Sequence, residues 1–257
     1  MLQYFHKSHV GSPERAKRHA LWVTGFGLGA EWYERVVERL WRVDKVASVV
    51  YALRPLSTLR VAPSWASLSS EIGAEVRALP QGDTTILGHS FGSIPLVMAV
   101  TEKLCIADRM VLIEPTLQSE AFLARWSARN YLRSLAGDSQ YVFHNVTAGF
   151  RRVHDLRTFP PNLIRKHVAG IEEHRGPITD SLFDTYPTIF PIDWRSFNEP
   201  VLIVGGKSTG RASHLVQRLL KRKFRNAQHR LVPRAGHWIF GEADTMMASM
   251  LSEFMVG

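Results

Sequence analysis

The chain has a single cysteine, Cys105, among its 257 residues. An internal disulfide is therefore excluded, and a reducing compartment is compatible with the sequence. No run approaches the ~18 consecutive apolar residues of a membrane-spanning helix. The first residues lack the apolar stretch of a secretory signal, so the expected location is cytoplasmic. There is no internal repeat and no low-complexity tract, which excludes solenoid and fibrous architectures. One absence is local. No Asp or Glu occurs anywhere from Gly205 to His237.

What is present is ordinary for a globular protein: 45% hydrophobic and 21% charged residues. A chain of this length can bury one large α/β core. The net charge of +9 is concentrated: residues 207–234 hold nine Lys/Arg, and the rest of the chain holds 23 of each sign. Such a segment suits an acidic partner or an anionic surface, or is a solvated helix face. No nucleic-acid motif accompanies it, so nucleic acid is not an expected partner.

Apolar patterning alternates between strand and helix. Residues 29–42 carry an amphipathic helix pattern, 46–53 a strand and 67–79 a helix. A strand at 84–87, a helix at 93–104 and a strand at 110–114 follow. Residues 115–200 break the alternation and read as mostly helical. The sheet resumes at 201–204. A basic helix, a short strand at 230–232 and a terminal helix at 242–254 complete the chain.

Chemistry concentrates at Gly88-His89-Ser90-Phe91-Gly92. A G-x-S-x-G between a strand and a helix raises a serine hydroxyl on a tight turn where a base can reach it. The serine needs a base, and the base needs an orienting group. There are 11 histidines, and position selects among them. His237, in Ala235-Gly236-His237-Trp238, follows the last short strand and is the expected base. His6, His9 and His19 precede the first clear strand. His144, His154, His167 and His174 fall in the central helical region. His89 packs under the elbow, and His214 and His229 read as solvated in the basic stretch.

The acid is harder to place. The strand 201–204 and the loop after it offer no Asp or Glu. Glu114, ending Met110-Val111-Leu112-Ile113, is the replacement. A carboxylate at the end of an apolar strand needs a partner. That partner is either His237 or an arginine in a structural ion pair. Glu242 and Asp244 are weaker candidates, placed at the start of the terminal helix.

The loop Gly25-Phe26-Gly27-Leu28-Gly29 follows the strand Ala20-Leu21-Trp22-Val23-Thr24. Backbone N–H groups of Phe26 and Phe91 are expected to hold an oxyanion. Leu28 and Trp238 flank these loops and are candidates for the pocket wall. The same loop also fits G-x-G-x-x-G/A through Gly25, Gly27 and Ala30. Together with Arg54, it supports a rival dinucleotide reading.

These stretches resemble the α/β-hydrolase family, from Thr24-Gly25-Phe26-Gly27 through the elbow and Glu114-Pro115 to Gly236-His237. The resemblance implies an α/β fold: a mostly parallel sheet flanked by helices, with a helical cap inserted after strand 6. The core would be 1–115 and 200–257, and the cap 116–199. It also implies a Ser-His-acid triad of Ser90, His237 and Glu114, with no metal and no organic cofactor. Two departures stand out. Thr24-Gly25 replaces the usual His-Gly, and the acid after the penultimate strand is missing. An acid after strand 6 is the arrangement of the haloalkane-dehalogenase branch, but that branch uses a carboxylate nucleophile and this chain offers Ser90. The short N-terminus leaves little room for the family's first two strands.

Twelve of the chain's 26 aromatic residues fall between 116 and 199. Collectively they favour an apolar substrate over a sugar or phosphate. The expected function is hydrolysis of a carboxylic ester or thioester of a small apolar substrate. A carbon–carbon bond hydrolase or lyase on the same fold is an alternative, as is a non-catalytic ligand-binding homologue.

Overall fold

Continuous apolar runs, rather than alternating ones, suit strands covered on both faces. The computed structural model describes residues 4–80, 83–116, 161–174, 178, 182, 192–209 and 211–257. Its strands are β1 (Phe5–Val10), β2 (Arg18–Val23), β3 (Val46–Leu53), β4 (Thr84–His89), β5 (Arg109–Ile113), β6 (Val201–Gly206) and β7 (Ala227–Val232). They form one sheet in the order β1-β3-β2-β4-β5-β6-β7. Every pair is parallel except β1 with β3. All residues of β3, β4 and β6 are buried.

The helices are α1 (Glu34–Asp44), α2 (Trp65–Arg77), α3 (Ser93–Thr101), α4 (Pro161–Glu173), α5 (Arg211–Lys223), α6 (Ile239–Glu242) and α7 (Asp244–Val256). One apolar cluster joins the sheet to α2, α3 and α5 through Leu68, Ile72, Ile94, Val97 and Leu220. The other joins it to α1 and α7 through Val36, Leu40, Met247 and Leu251. The α/β architecture with flanking helices is therefore as expected. No helix among the described residues is long and apolar enough to cross a membrane.

Local chemistry moves some boundaries. α2 begins at Trp65 because the Ser64 hydroxyl accepts the Ser67 N–H while the Ser67 hydroxyl accepts the Ser64 N–H. This reciprocal cap starts the helix earlier than the apolar period suggests. α1 begins only at Glu34, after an extended Gly29 and a short 3-10 turn over Ala30–Trp32.

The N-terminal reading needs correction. His6 and His9 lie within β1, and His19 lies within β2. β1 is an edge strand whose middle residues are exposed. Its polar sequence therefore carries no apolar run to announce it.

Within 116–199, helix α4 is described, and it seats on the loop after β2. A Cβ on Gly170 would collide with the Gly27 carbonyl oxygen. The Ser57 hydroxyl donates to the Glu173 carbonyl at 2.6 Å, and the Trp65 indole N–H donates to the Leu182 carbonyl at 3.0 Å. Trp194 and Phe197 belong to the main apolar cluster, with Trp194 edge-on to Phe224. The remaining cap expectations, including His144, His154 and most of the aromatics, lie outside the described residues.

Candidate active site

Ser90 is the first residue after β4 and has φ of 50°. A left-handed backbone costs a non-glycine residue about 1–2 kcal/mol, and its neighbours must hold it there. They do so by close approach. A Cβ on Gly88 would lie 2.7 Å from the Ser93 Cα, and one on Gly92 would collide with the Val23 and Thr24 carbonyl oxygens. The two glycines of the motif are therefore spatial requirements of the turn. The Ser90 hydroxyl lies 3.0 Å from the His237 Nε2.

His237 sits on the loop after β7, about one-third exposed (36%). Gly206 admits this loop, because a Cβ there would strike the Ala235 and Gly236 carbonyls. The Ser208 N–H fastens it by donating to the Ala235 carbonyl at 2.9 Å. On its other side, the His237 Nδ1 lies 3.3 Å from the Glu114 Oε2.

Glu114 follows β5, is 1% exposed and has φ of 44°. Its Oε1 accepts the Gly206 N–H at 2.6 Å and the Gln217 amide N–H at 3.1 Å. Its Oε2 accepts the Ser213 hydroxyl at 2.9 Å. Among the described residues, its one ion-pair partner is His237 and not an arginine. Asp244 is used elsewhere: it accepts the Thr245 N–H at 2.6 Å and pairs with Arg35 at 3.5 Å.

Gln217 and Ser213 were not foreseen. They lie four residues, one turn, apart on α5, with Gln217 fully buried. The Gln217 amide also donates to the Ser213 hydroxyl at 2.9 Å, and its oxygen accepts the His229 Nε2–H at 2.9 Å. Gly205 leaves room for this amide, since a Cβ there would collide with it. The His214 Nε2–H donates to the Gly206 carbonyl at 3.0 Å. The solvated reading of His214 and His229 is therefore wrong, because both are half-buried in the scaffold around the carboxylate. The available signal was a polar i, i+4 pair amid apolar residues on a basic helix.

The loop after β2 lies against the elbow. A Cβ on Gly25 would be 3.4 Å from the Ser90 Cβ. Thr24 closes the loop by donating its hydroxyl to the Leu28 carbonyl at 2.8 Å. The Phe26 and Phe91 rings pack with centroids 5.5 Å apart. Leu28 and Trp238 are both buried in the cluster on the α1 side. The dinucleotide reading finds no room, since the Ile171 N lies 2.9 Å from where a Gly27 Cβ would be. Arg54 is occupied by the Phe5 carbonyl at 3.1 Å.

Two histidines, one midway along α4 and one just after it, close over this loop. His167 donates from Nδ1 to the Gly27 carbonyl at 3.4 Å and sets its ring edge-on to Trp32 and Trp238. His174 accepts the Leu56 N–H at 3.2 Å and packs on Phe26 with centroids 4.6 Å apart. Burial pushes both pKa values down to about 4, so both rings are neutral near pH 7.

The chain belongs to the alpha/beta hydrolase family, whose model matches residues 19–248. The fold is similar to MenH from S. aureus, with a TM-score of 0.76, 13% identity and 98% of each chain covered. It is also similar to the esterase EaEST from Exiguobacterium antarcticum, with a TM-score of 0.78, 11% identity, and 99% of this chain and 98% of that one covered. A thermophilic esterase from Thermogutta terrifontis gives a TM-score of 0.75 at 15% identity, covering 98% of this chain and 93% of that one. No curated protein matches the chain in sequence.

Proposed function

We propose that the protein is a serine hydrolase acting on carboxylic esters or thioesters with an apolar group. One observation supports this above all: Ser90 Oγ to His237 Nε2 at 3.0 Å, and His237 Nδ1 to Glu114 Oε2 at 3.3 Å. Two hydrogen bonds of that order are what a nucleophile, its base and the base's orienter require.

In this reading the His237 proton rests on Nδ1 and faces Glu114. Nε2 takes the Ser90 proton as Oγ bonds to the substrate carbonyl carbon. The carbonyl electron pair moves to oxygen, where the N–H groups of Phe26 and Phe91 receive it. The imidazolium, stabilised by Glu114, returns the proton to the departing alkoxide or thiolate. Water, deprotonated by the same Nε2, attacks the acyl-enzyme, and as the acyl–Oγ bond breaks that proton passes to Ser90 Oγ and the acid is released. The His167 and Trp238 rings and the Phe26 side chain border these groups, which suits an apolar substrate better than a charged one.

The test is initial rates on p-nitrophenyl acetate, butyrate, octanoate and decanoate, with Ser90→Ala as background. Saturable turnover that vanishes in the variant is the expected result. Equal rates in the two proteins would remove Ser90 from the chemistry. No turnover in either would turn attention to carbon–carbon bond substrates.

A further inference from the structure

We propose that Tyr33 and His89 are positioning residues, forming a buried relay that ties the oxyanion loop to the loop of the general base. The proposal rests on the serine-hydrolase reading and adds to it two residues that touch neither Ser90 Oγ nor the His237 ring nitrogens. The Gly25 N–H donates to the Tyr33 hydroxyl oxygen at 3.0 Å. That oxygen lies 2.7 Å from the His89 Nδ1. The His89 Nε2 lies 3.1 Å from the His237 carbonyl oxygen.

The direction of each proton follows from the two ends. A backbone N–H can only donate, and a carbonyl can only accept. The Tyr33 oxygen receives the Gly25 proton, so its own hydrogen points to His89 Nδ1. That nitrogen then accepts, and the ring proton sits on Nε2, where it donates to the His237 carbonyl. The relay is thus closed in one tautomer. The surroundings keep both groups neutral. Tyr33 is fully buried and His89 is 2% exposed. The Phe240 ring packs on both, with centroids 4.5 Å from Tyr33 and 5.3 Å from His89. Burial raises the Tyr33 pKa above its ordinary value, and burial with nearby His237 holds that of His89 well below its own.

The placement gives the relay its consequence. Gly25 immediately precedes Phe26, the proposed oxyanion donor. His89 immediately precedes Ser90. The carbonyl at the far end belongs to the base itself. One chain of three hydrogen bonds therefore fixes oxyanion donor, nucleophile and base relative to one another. A bare core pair would fill space here without satisfying two backbone groups on opposite sides of the site.

The experiment uses the full chain and the variants Tyr33→Phe, His89→Asn and His89→Gln. Tyr33→Phe keeps the ring and removes the hydroxyl. Asn offers an acceptor near the Nδ1 position, and Gln offers a donor near the Nε2 position. For Tyr33→Phe the expected result is a kcat lower by roughly 10- to 100-fold on p-nitrophenyl butyrate, with KM little changed. Inhibition by a trifluoromethyl ketone, which forms a tetrahedral oxyanion adduct on the serine, should weaken in parallel. Adding Tyr33→Phe to His89→Gln should cost little more, because Tyr33 has already lost its acceptor. Adding it to His89→Asn should cost nearly its full effect. Nitrogen NMR of isotope-labelled histidine reads the relay without turnover. His89 is expected as the Nε2–H tautomer, and Tyr33→Phe should shift the His237 signals. A Tyr33→Phe protein with a lower Tm but unchanged kcat, inhibitor affinity and His237 signals would overturn the relay. Failure of the underlying reading looks different: wild type and Ser90→Ala would then hydrolyse equally.

Discussion

Replacing Glu114 by glutamine changes one atom and should cost most of the activity. The reasoning starts from the two ends of the carboxylate. Oε1 accepts the Gly206 N–H at 2.6 Å. This backbone donor cannot turn away, so the glutamine oxygen must take that place. The amide NH2 then occupies the Oε2 position, facing Ser213 and the His237 Nδ1. Ser213 can rotate and accept. His237 can meet an NH2 only by moving its own proton to Nε2. Nε2 would then donate to Ser90 instead of accepting from it, and the base would be lost. The same exchange in a serine-protease triad lowers kcat about 10⁴-fold, equivalent to about 5 kcal/mol of transition-state stabilisation. Stability should change by only about 1 kcal/mol, or a Tm shift of about 2–4 °C, because shape and the main hydrogen bond persist. Initial rates on p-nitrophenyl butyrate and a thermal melt would measure both quantities. A variant retaining more than a tenth of wild-type kcat/KM would refute the tautomer argument and remove Glu114 from the triad.

Gly92→Ala places a methyl group on two backbone carbonyls that cannot yield. It should lower stability by at least about 3 kcal/mol and abolish turnover, and an unchanged melt would contradict this. Gln217→Ala removes one donor from Glu114 and the acceptor of His229. The expected kcat loss is roughly 10-fold, and it should be steeper for Gln217→Glu, which brings a second carboxylate beside the first. His167 and His174 titrate near pH 4 when folded and near 6.5 when unfolded. The unfolded chain therefore binds more protons between those values. Stability from these groups is fully present above about pH 6.5 and is lost as pH falls towards 4, by about 3 kcal/mol each. Urea melts across that range should show the decline, and replacing both residues should flatten it. Burial pushes the Cys105 thiol up to about 11. Iodoacetamide should therefore label it slowly in the native protein and quickly in denaturant; fast native labelling would contradict the burial.

How legible the molecule was depends on whether its signals were local. The buried strand β3 announces itself as an unbroken apolar run, and its bounds at Val46 and Leu53 match the pattern residue for residue. The elbow is legible because its motif is five consecutive residues between a strand and a helix, although Gly92 answers to the distant Val23 and Thr24 carbonyls. Glu114 came from elimination: with no acid between Gly205 and His237, the neighbouring strand was the remaining source. β1 was hidden because an edge strand need not be apolar. The inward turn of Ser213 and Gln217 was hidden because nine cations on the same segment dominate its pattern. Tyr33 carries no motif, and its importance arises from a distance of 56 residues to His89 that only folding closes.

The register of the sheet has a mechanical meaning. His89 pairs with Ile113 across adjacent strands. Ser90 and Glu114 are therefore the next residues on two rails held by the same ladder, and each leaves its rail in a left-handed conformation. Two members of the constellation thus share one rigid frame at the centre of the sheet. His237 alone rides on a loop at the sheet's far side. In the proposed mechanism, the geometry of the site therefore depends most on that one loop. Substitutions that retune it should accumulate in whatever steadies that loop, while the two rails tolerate almost none.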